Sequence, residues 1–285
     1  MTHLLKSILP AFFLLLALSC GKERVSGGSG NAQGPIIETL EADGIHCGYA
    51  TLNARLNRIP DSFTGDGWEV VFSISTDKDF NPDQTKTTKL TGSSSSGDNY
   101  NYTVSPLIAG SKYYYKASLI LAEDWIVDGD PVSFTTADAP KNNGYPYIDL
   151  GLSVKWAYCN QGANSPTAFG TYFNASTTPS VNYGGNWRKP TMDEMLELVN
   201  NCSKTFTRDF DPEEGGIWFT GPSGESIYLQ CQNDVGETGD DGFFSSELNW
   251  SNFYYGLYLH SNSDNTFTAV KGSYVKYGRL RAVFK

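Results

Sequence analysis

The sequence predicts a mainly β protein, a β-sandwich followed by an α+β domain that holds the one clear helix. Three observations carry this. Apolar and polar residues alternate in several short runs bounded by glycine- and serine-rich turns. A single stretch, Asn186 to Cys202, has helical spacing and a capping signal. Aromatic residues make up 14% of the 285 residues, beside 29 glycines, a composition that suits turn-rich sheets over aromatic cores.

The length allows about two domains. The net charge is −10. Nucleic acid and anionic membrane surfaces both select basic proteins, so neither is expected as a partner.

Residues 1–19 read as a targeting segment. Lys6 supplies the positive end, and the apolar run from Ile8 to Leu18 is too short for a spanning helix. Ala17, Leu18 and Ser19 lead into Cys20, which resembles the lipobox of bacterial lipoproteins, where cleavage precedes an acylated cysteine. The alternative is an ordinary secretory signal with a chance cysteine. Several acyl chains on Cys20 would hold the protein stably on a membrane. Lys22-Glu23 resembles the charged export signal of Bacteroidetes surface lipoproteins. The expected location is therefore the outer membrane, facing outward, with the membrane met only through the lipid. Residues 20–34 hold Gly27-Gly28-Ser29-Gly30 and little that could build a core, so they read as a flexible tether. A phosphate-binding loop is excluded, since no strand precedes it and no Gly-Lys-Ser/Thr follows.

Residues 35–137 carry the sandwich. Ala50, Leu52, Ala54 and Leu56 alternate with polar neighbours, and Trp68, Val70, Phe72 and Ile74 alternate with Glu69, Val71, Ser73 and Ser75, which are expected outside. Gly92 to Asp98 reads as a polar hairpin loop, followed by the alternating Tyr100, Tyr102 and Val104. Leu107 and Tyr113 stand six residues apart across a glycine turn, the pattern of a tyrosine corner. Pro131 to Thr136 is the closing strand, and Cys47 is expected in a strand as a small buried hydrophobe. The whole resembles a fibronectin type III or Ig-like module, here serving as a spacer. Asp138 to Tyr145 reads as a polar linker, and residues 146–285 as the second domain.

The helix of that second domain starts after Pro190. Thr191 and Glu194 form a capping box, and Met192, Met195, Leu196 and Val199 line one apolar face. Tyr147 to Asn160, Phe169-Gly-Thr-Tyr-Phe173, Gly184 to Thr191, Gly224 to Leu229, Gly242 to Ser246, Tyr255 to Leu259 and Arg279 to Val283 follow in an order that resembles the Fibrobacter succinogenes major paralogous domain family. The resemblance covers about half of the chain. It implies a divergent C-type-lectin-like fold related to the formylglycine-generating enzymes. Phe244-Ser-Ser replaces the family's Trp-Ser-Ser, and Leu280-Arg-Ala-Val283 its Val-Arg-Pro-Val. The family carries the positions of Cys159 and Cys202 together, which implies that the two are adjacent and able to bond. Two separate buried thiols are the alternative.

An enzyme is not expected. The formylglycine-generating reaction needs a C-terminal cysteine pair, and the last cysteine is Cys231. No His-x-x-x-His, Cys-x-x-Cys or Gly-x-Ser-x-Gly occurs. His46 and His260 fall in different domains. The stretch from Thr205 to Trp250 is acidic, and a calcium ion near Asp240 and Asp241 is conceivable. A solvated acidic loop is the favoured reading, and no cofactor is expected.

What remains is a surface binding module, adhesin-like, for a glycan or a protein; the alternative is a structural subunit of a surface assembly. The candidate ligand residues are Asn249, Trp250, Asn252, Tyr254 and Tyr258, because aromatics interleaved with Asn and Ser make adaptable binding surfaces. Tyr254 and Tyr258 are expected outside, on the strand face opposite Tyr255, Leu257 and Leu259. The basic end, with Lys271, Lys276, Arg279, Arg281 and Lys285, would set a charge contrast against the acidic stretch.

Anchoring is testable directly. Cys20→Ser is expected to release the protein from the membrane fraction or to block its maturation; unchanged fractionation in detergent-free buffer would sink the lipoprotein reading.

Overall fold

Among the described residues, the larger sheets follow from runs that bury one face or both. The computed structural model describes residues 36–59, 68–91, 97–122, 125–208, 215–231, 241–248, 254–261 and 267–285. Cys20, the tether and most of the serine-rich loop lie outside them.

The first set of strands is β1 (Ile36–Asp43), β2 (Ala50–Arg58), β3 (Glu69–Ser75), β4 (Thr85–Thr91), β5 (Asn99–Val104), β6 (Lys112–Ala122), β7 (Trp125–Asp128) and β8 (Val132–Thr135). One sheet runs β1-β2-β5. The other runs β4-β3-β6-β7, with β8 also paired to β6. The alternating residues meet between the sheets: Ala50, Leu52, Ala54 and Leu56 of β2 pack with Val70, Phe72 and Ile74 of β3 and with Tyr115, Ala117 and Leu119 of β6. This is a β-sandwich of the fibronectin type III and Ig-like kind. The tyrosine corner is present, with the Tyr113 hydroxyl accepting the Ile108 N–H at 3.0 Å. The closing strand is β8, as read, and β7, before it, is a further strand on the same partner, β6. Val71, expected outside, is buried as well.

Residues 141–148, read as linker and domain start, form a small hairpin of β9 (Lys141–Asn142) and β10 (Tyr145–Ile148). Asn143 and Gly144 both take positive φ, +50° and +84°. That is the Asn-Gly two-residue turn, a signal present in the sequence and passed over there.

The remaining elements are β11 (Lys155–Ala157), β12 (Phe173–Asn174), α1 (Met192–Asn201), β13 (Ser203–Thr207), β14 (Gly216–Thr220), β15 (Ser226–Gln230), β16 (Asp241–Leu248), β17 (Tyr254–Ser261), β18 (Phe267–Val275), β19 (Tyr277–Arg279) and β20 (Val283–Phe284). They make sheets in the orders β20-β11-β10-β9, β13-β14-β15 and β12-β19-β16-β17-β18, with β16 and β19 parallel. All five residues of β15 are buried, which is why Ser226 to Gln230 reads as a run without alternation.

The helix has its capping box. Thr191 Oγ1 accepts the Glu194 N–H at 3.2 Å, and the Glu194 carboxylate accepts the Thr191 N–H at 2.8 Å. Arg188 adds a bidentate pair to Glu194, at 2.7 and 2.6 Å. Burial opposes ionisation of Glu194, but Arg188 and the Thr191 N–H outweigh it and hold the carboxyl below its ordinary value. A ten-residue helix is marginal alone, so packing supplies the rest. The packed face is rotated from the expected one: Met192, Met195 and Leu198 are buried, and Leu196 and Val199 only flank them. Each full burial of such a side chain contributes about 1.5–3 kcal/mol.

Residues 34–285 make one compact unit. Cys47 is not in a strand; it sits in a bend after β1 and packs into the core of the C-terminal sheets. Burial and a hydrogen bond to the Glu225 carboxylate push its thiol up to about 12. The Tyr158 hydroxyl accepts the Ala109 N–H at 2.9 Å, and a Cβ on Gly48 would stand 2.6 Å from Glu225 Oε2. The sandwich and the sheets after it are thus in direct contact across this corner. The thiols of Cys47, Cys159 and Cys202 are free. The implied Cys159–Cys202 bond is therefore absent: Cys202 caps the helix inside the core, and Cys159 is half-buried after β11.

The basic end corrects another expectation. Arg279 and Arg281 do not lie on a charged face; both are buried. Arg281 donates from Nε to Asn160 Oδ1 at 2.8 Å, from one terminal nitrogen to the carbonyls of Ala157 and Tyr158 at 3.1 and 2.6 Å, and from the other to the Tyr228 carbonyl at 2.6 Å. Burial pulls the guanidinium down to about 10, so it stays charged at neutral pH among neutral acceptors.

Replacing Arg281 by Met would leave Asn160 and three carbonyls without this donor. At about 1–3 kcal/mol for each of these four buried groups left unpaired, a loss of at least about 4 kcal/mol of unfolding free energy is expected, read as a lowered urea midpoint. Arg281→Lys should recover only part, since an ammonium lacks the planar fork. An unchanged midpoint in Arg281→Met would show the network to be dispensable.

Candidate functional site

The sequence placed the ligand on the late strands, and the structure covers them. Tyr254 and Tyr258 do share one strand face, but they are buried at 9% and 5% exposure. They pack with Phe244, Val275 and Leu280, while Leu257 and Leu259 belong to the core under the helix. Strand β17 is therefore covered on both faces, and alternation alone could not tell which side met solvent. Lys189 completes the cover, its ammonium 3.7 Å from the centroid of the Tyr254 ring. Asn249, Trp250 and Asn252 lie outside the described residues. Asp240 does too, and Asp241 opens β16.

Exposed aromatics occur elsewhere. Phe169 and Tyr172 are 38% and 48% exposed. Tyr172 stacks on Tyr277 with centroids 5.8 Å apart and planes at 8°. The guanidinium carbon of Arg279 lies 4.5 Å from the Phe169 centroid and 5.7 Å from that of Tyr172. One cation thus organises two exposed rings, an arrangement favoured by the ring quadrupole.

The loop that presents these rings is built on the buried network. Asn160 Nδ2 donates to the Phe169 carbonyl at 3.0 Å and to Gln230 Oε1 at 2.8 Å, while its Oδ1 accepts from Arg281. Gln230 Nε2 donates to the Thr167 carbonyl at 2.9 Å. Gln161 holds the far end, donating to the Ser180 carbonyl and accepting the Asn182 N–H, each at 3.0 Å. Gly170 turns the chain between the rings with φ +74°, and a Cβ there would stand 2.6 Å from the Gln161 carbonyl oxygen. β12 then pairs with β19, setting Asn174 opposite Tyr277. A 3-10 turn follows at Ala175–Thr177, capped by the Asn174 side chain, and Thr178 closes it in the left-handed region at φ +48°. A β-branched residue there is strained, and such strain gathers at functional sites.

No Asp, Glu, Lys or Arg occurs between Lys155 and Arg188. The surface so made is rich in Asn, Ser, Thr, Gly and aromatic residues, the composition of adaptable recognition loops. This was the signal by which the sequence could have revealed the site. In the sequence, Phe169 to Phe173 stands out only as part of the family pattern.

No family model matches the chain, and no curated protein is similar to it in sequence. Part of it is similar to solved β-sandwiches. The sensor domain of the anti-sigma factor RsgI4 of Pseudobacteroides cellulosolvens shares 14% identity over 38% of this chain and 98% of that one, with a TM-score of 0.30. The fibronectin type III domain of human fibronectin type III domain containing protein 3 shares 18% over 39% and 94%, with a TM-score of 0.28. The fn3 domain of the human collagen alpha-1(XX) chain shares 15% over 44% and 98%, with a TM-score of 0.26. Scores this low add nothing to the strand order and the tyrosine corner, on which the sandwich rests.

A concavity of 290 Å³ lies where Ala109 meets Tyr158 and Cys159. Burial raises the Cys159 thiol above its ordinary value, so it is a poor nucleophile there.

Burial also lowers the Lys189 ammonium from 10.5 to about 8. Labelling of Lys189 by an acylating reagent, followed by peptide mapping across pH, is expected to rise with a midpoint near 8. A midpoint near the ordinary lysine value would show that the cover over Tyr254 is open in solution.

Proposed function

We propose that this chain is a non-catalytic lipoprotein, anchored through Cys20 in the outer membrane and facing outward. In this reading the sandwich is a spacer. The C-terminal sheets are a divergent C-type-lectin-like domain of the major paralogous kind, and that domain binds a glycan or a protein as an adhesin does. The observation that supports binding is the pair of exposed rings, Phe169 and Tyr172, held over Arg279 on a surface segment without charge. Exposed apolar side chains scattered singly mean little. Two on one short loop, braced by a third ring and a buried cation, are a built feature.

The chemistry of the thiols supports a non-catalytic role. Cys47 and Cys202 are pushed up to about 12 and about 11, mainly by burial, so neither offers a thiolate near neutral pH. The candidate ligand face of the notional lectin site moves accordingly, from the late strands to the loop before the helix.

Cells that display the protein are expected to adhere to their target surface more than cells lacking it, and the soluble Cys20→Ser form should compete. Equal adhesion by both kinds of cell, with a stoichiometric envelope partner recovered on purification, would replace this reading by the structural-subunit alternative.

A further inference from the structure

We propose that the Phe169–Tyr172–Tyr277 face is a carbohydrate platform for a neutral pyranoside, resting on the binding-module reading above. The sugar's C–H face would lie on the rings of Tyr172 and Phe169, and its hydroxyls would meet the turn that begins at Asn174.

Four observations carry the ligand class. The rings are fixed before any ligand arrives, since Tyr172 is stacked on Tyr277 and both exposed rings lie against the Arg279 guanidinium. Binding then orders few side chains, which is where affinity is otherwise lost. The exposed part of the face is aromatic, while its rim is hydroxyl and amide: Asn174 stands opposite Tyr277, and Ser176 and Thr178 are exposed on the following turn. A pyranose has the same division, with an apolar C–H face and a polar edge.

The segment carries no formal charge from Trp156 to Trp187. The segment itself therefore offers no side-chain ion pair to a sulfated or carboxylated sugar, and the cations beside the face, Lys276 at 5.4 Å from the Tyr277 centroid and Arg279 at 4.5 Å from that of Phe169, lie against its rings. Its exposed apolar content is two rings, whereas a stable protein interface needs about 800 Å² on each partner. A small amphipathic ring fits this patch better than a protein surface does.

The test uses the full chain purified in detergent. Isothermal titration and saturation-transfer NMR would be run with cellotetraose, mannotetraose and a β-1,4-galactotetraose, and with a chondroitin sulfate tetrasaccharide as the anionic probe. At least one neutral tetrasaccharide is expected to bind, and more tightly than the sulfated one. Tyr172→Ala and Phe169→Ala should each weaken that binding at least tenfold with an unchanged urea midpoint, and Tyr172→Trp should retain it. The proposal is overturned if no neutral probe binds, if the sulfated probe binds most tightly, or if binding survives both alanine variants. Adhesion separates the two readings. Tyr172→Ala cells that adhere normally while the protein binds none of the neutral probes would leave the adhesin reading standing without this site. Ring-dependent sugar binding, with no effect of the protein on adhesion, would leave the site standing without the adhesin reading.

Discussion

A buried guanidinium without a carboxylate is the constraint on which the C-terminal half depends. Arg281 lies between β19 and β20, so it belongs to the join of two sheets. Its acceptors come from β11 at Ala157, from β15 at Tyr228 and from the loop at Asn160. Two of the three sheets of this half therefore supply its acceptors, and β19 of the third runs directly into it. Removing a charge from water is costly, and only a full set of acceptors offsets that here. Each acceptor must be in place for the cation to be tolerated, which makes the arrangement specific rather than merely stable.

The same network reaches the surface. Asn160 links Arg281 to the carbonyl of Phe169, and Gln230 links Asn160 to Thr167. A long segment without regular structure is thereby pinned from below, and its exposed rings inherit the order of the core. Two residues before Arg281, Arg279 supports those rings from beneath. The terminal Arg-Leu-Arg thus serves core and surface at once, with Leu280 buried between them. Mobile loops would have to be ordered on binding; these are held beforehand.

Local rules were legible where their physics is local. The capping box at Thr191 and Glu194 needs only three residues' spacing, and it formed as read. The tyrosine corner needs one turn, and Tyr113 meets Ile108. The alternation of β2 set its buried side correctly, because the opposite face of that sheet is polar. In β17 the same rule failed. Tyr254 and Tyr258 point away from Leu257 and Leu259 as alternation requires, yet a second layer made by Phe244, Val275 and Leu280 covers them. Alternation reports which residues share a face, not what lies against it.

The sequence by itself determined the strand-and-turn composition, the helix and its start, the alternation of several sandwich strands and the uncharged character of the segment between Lys155 and Arg188. These depend on periodicity, on short-range capping geometry and on residue type. Only the tertiary structure decided that Cys47 leaves the sandwich for the other core, that Cys159 and Cys202 stay as separate thiols, and that Arg281 is interior while Phe169 and Tyr172 are not. Each of those outcomes is set by partners far away in sequence: Glu225 for Cys47, Asn160 and Tyr228 for Arg281, Tyr277 and Arg279 for the exposed rings. Burial is a property of what the rest of the chain brings to a residue, and no local pattern carries it.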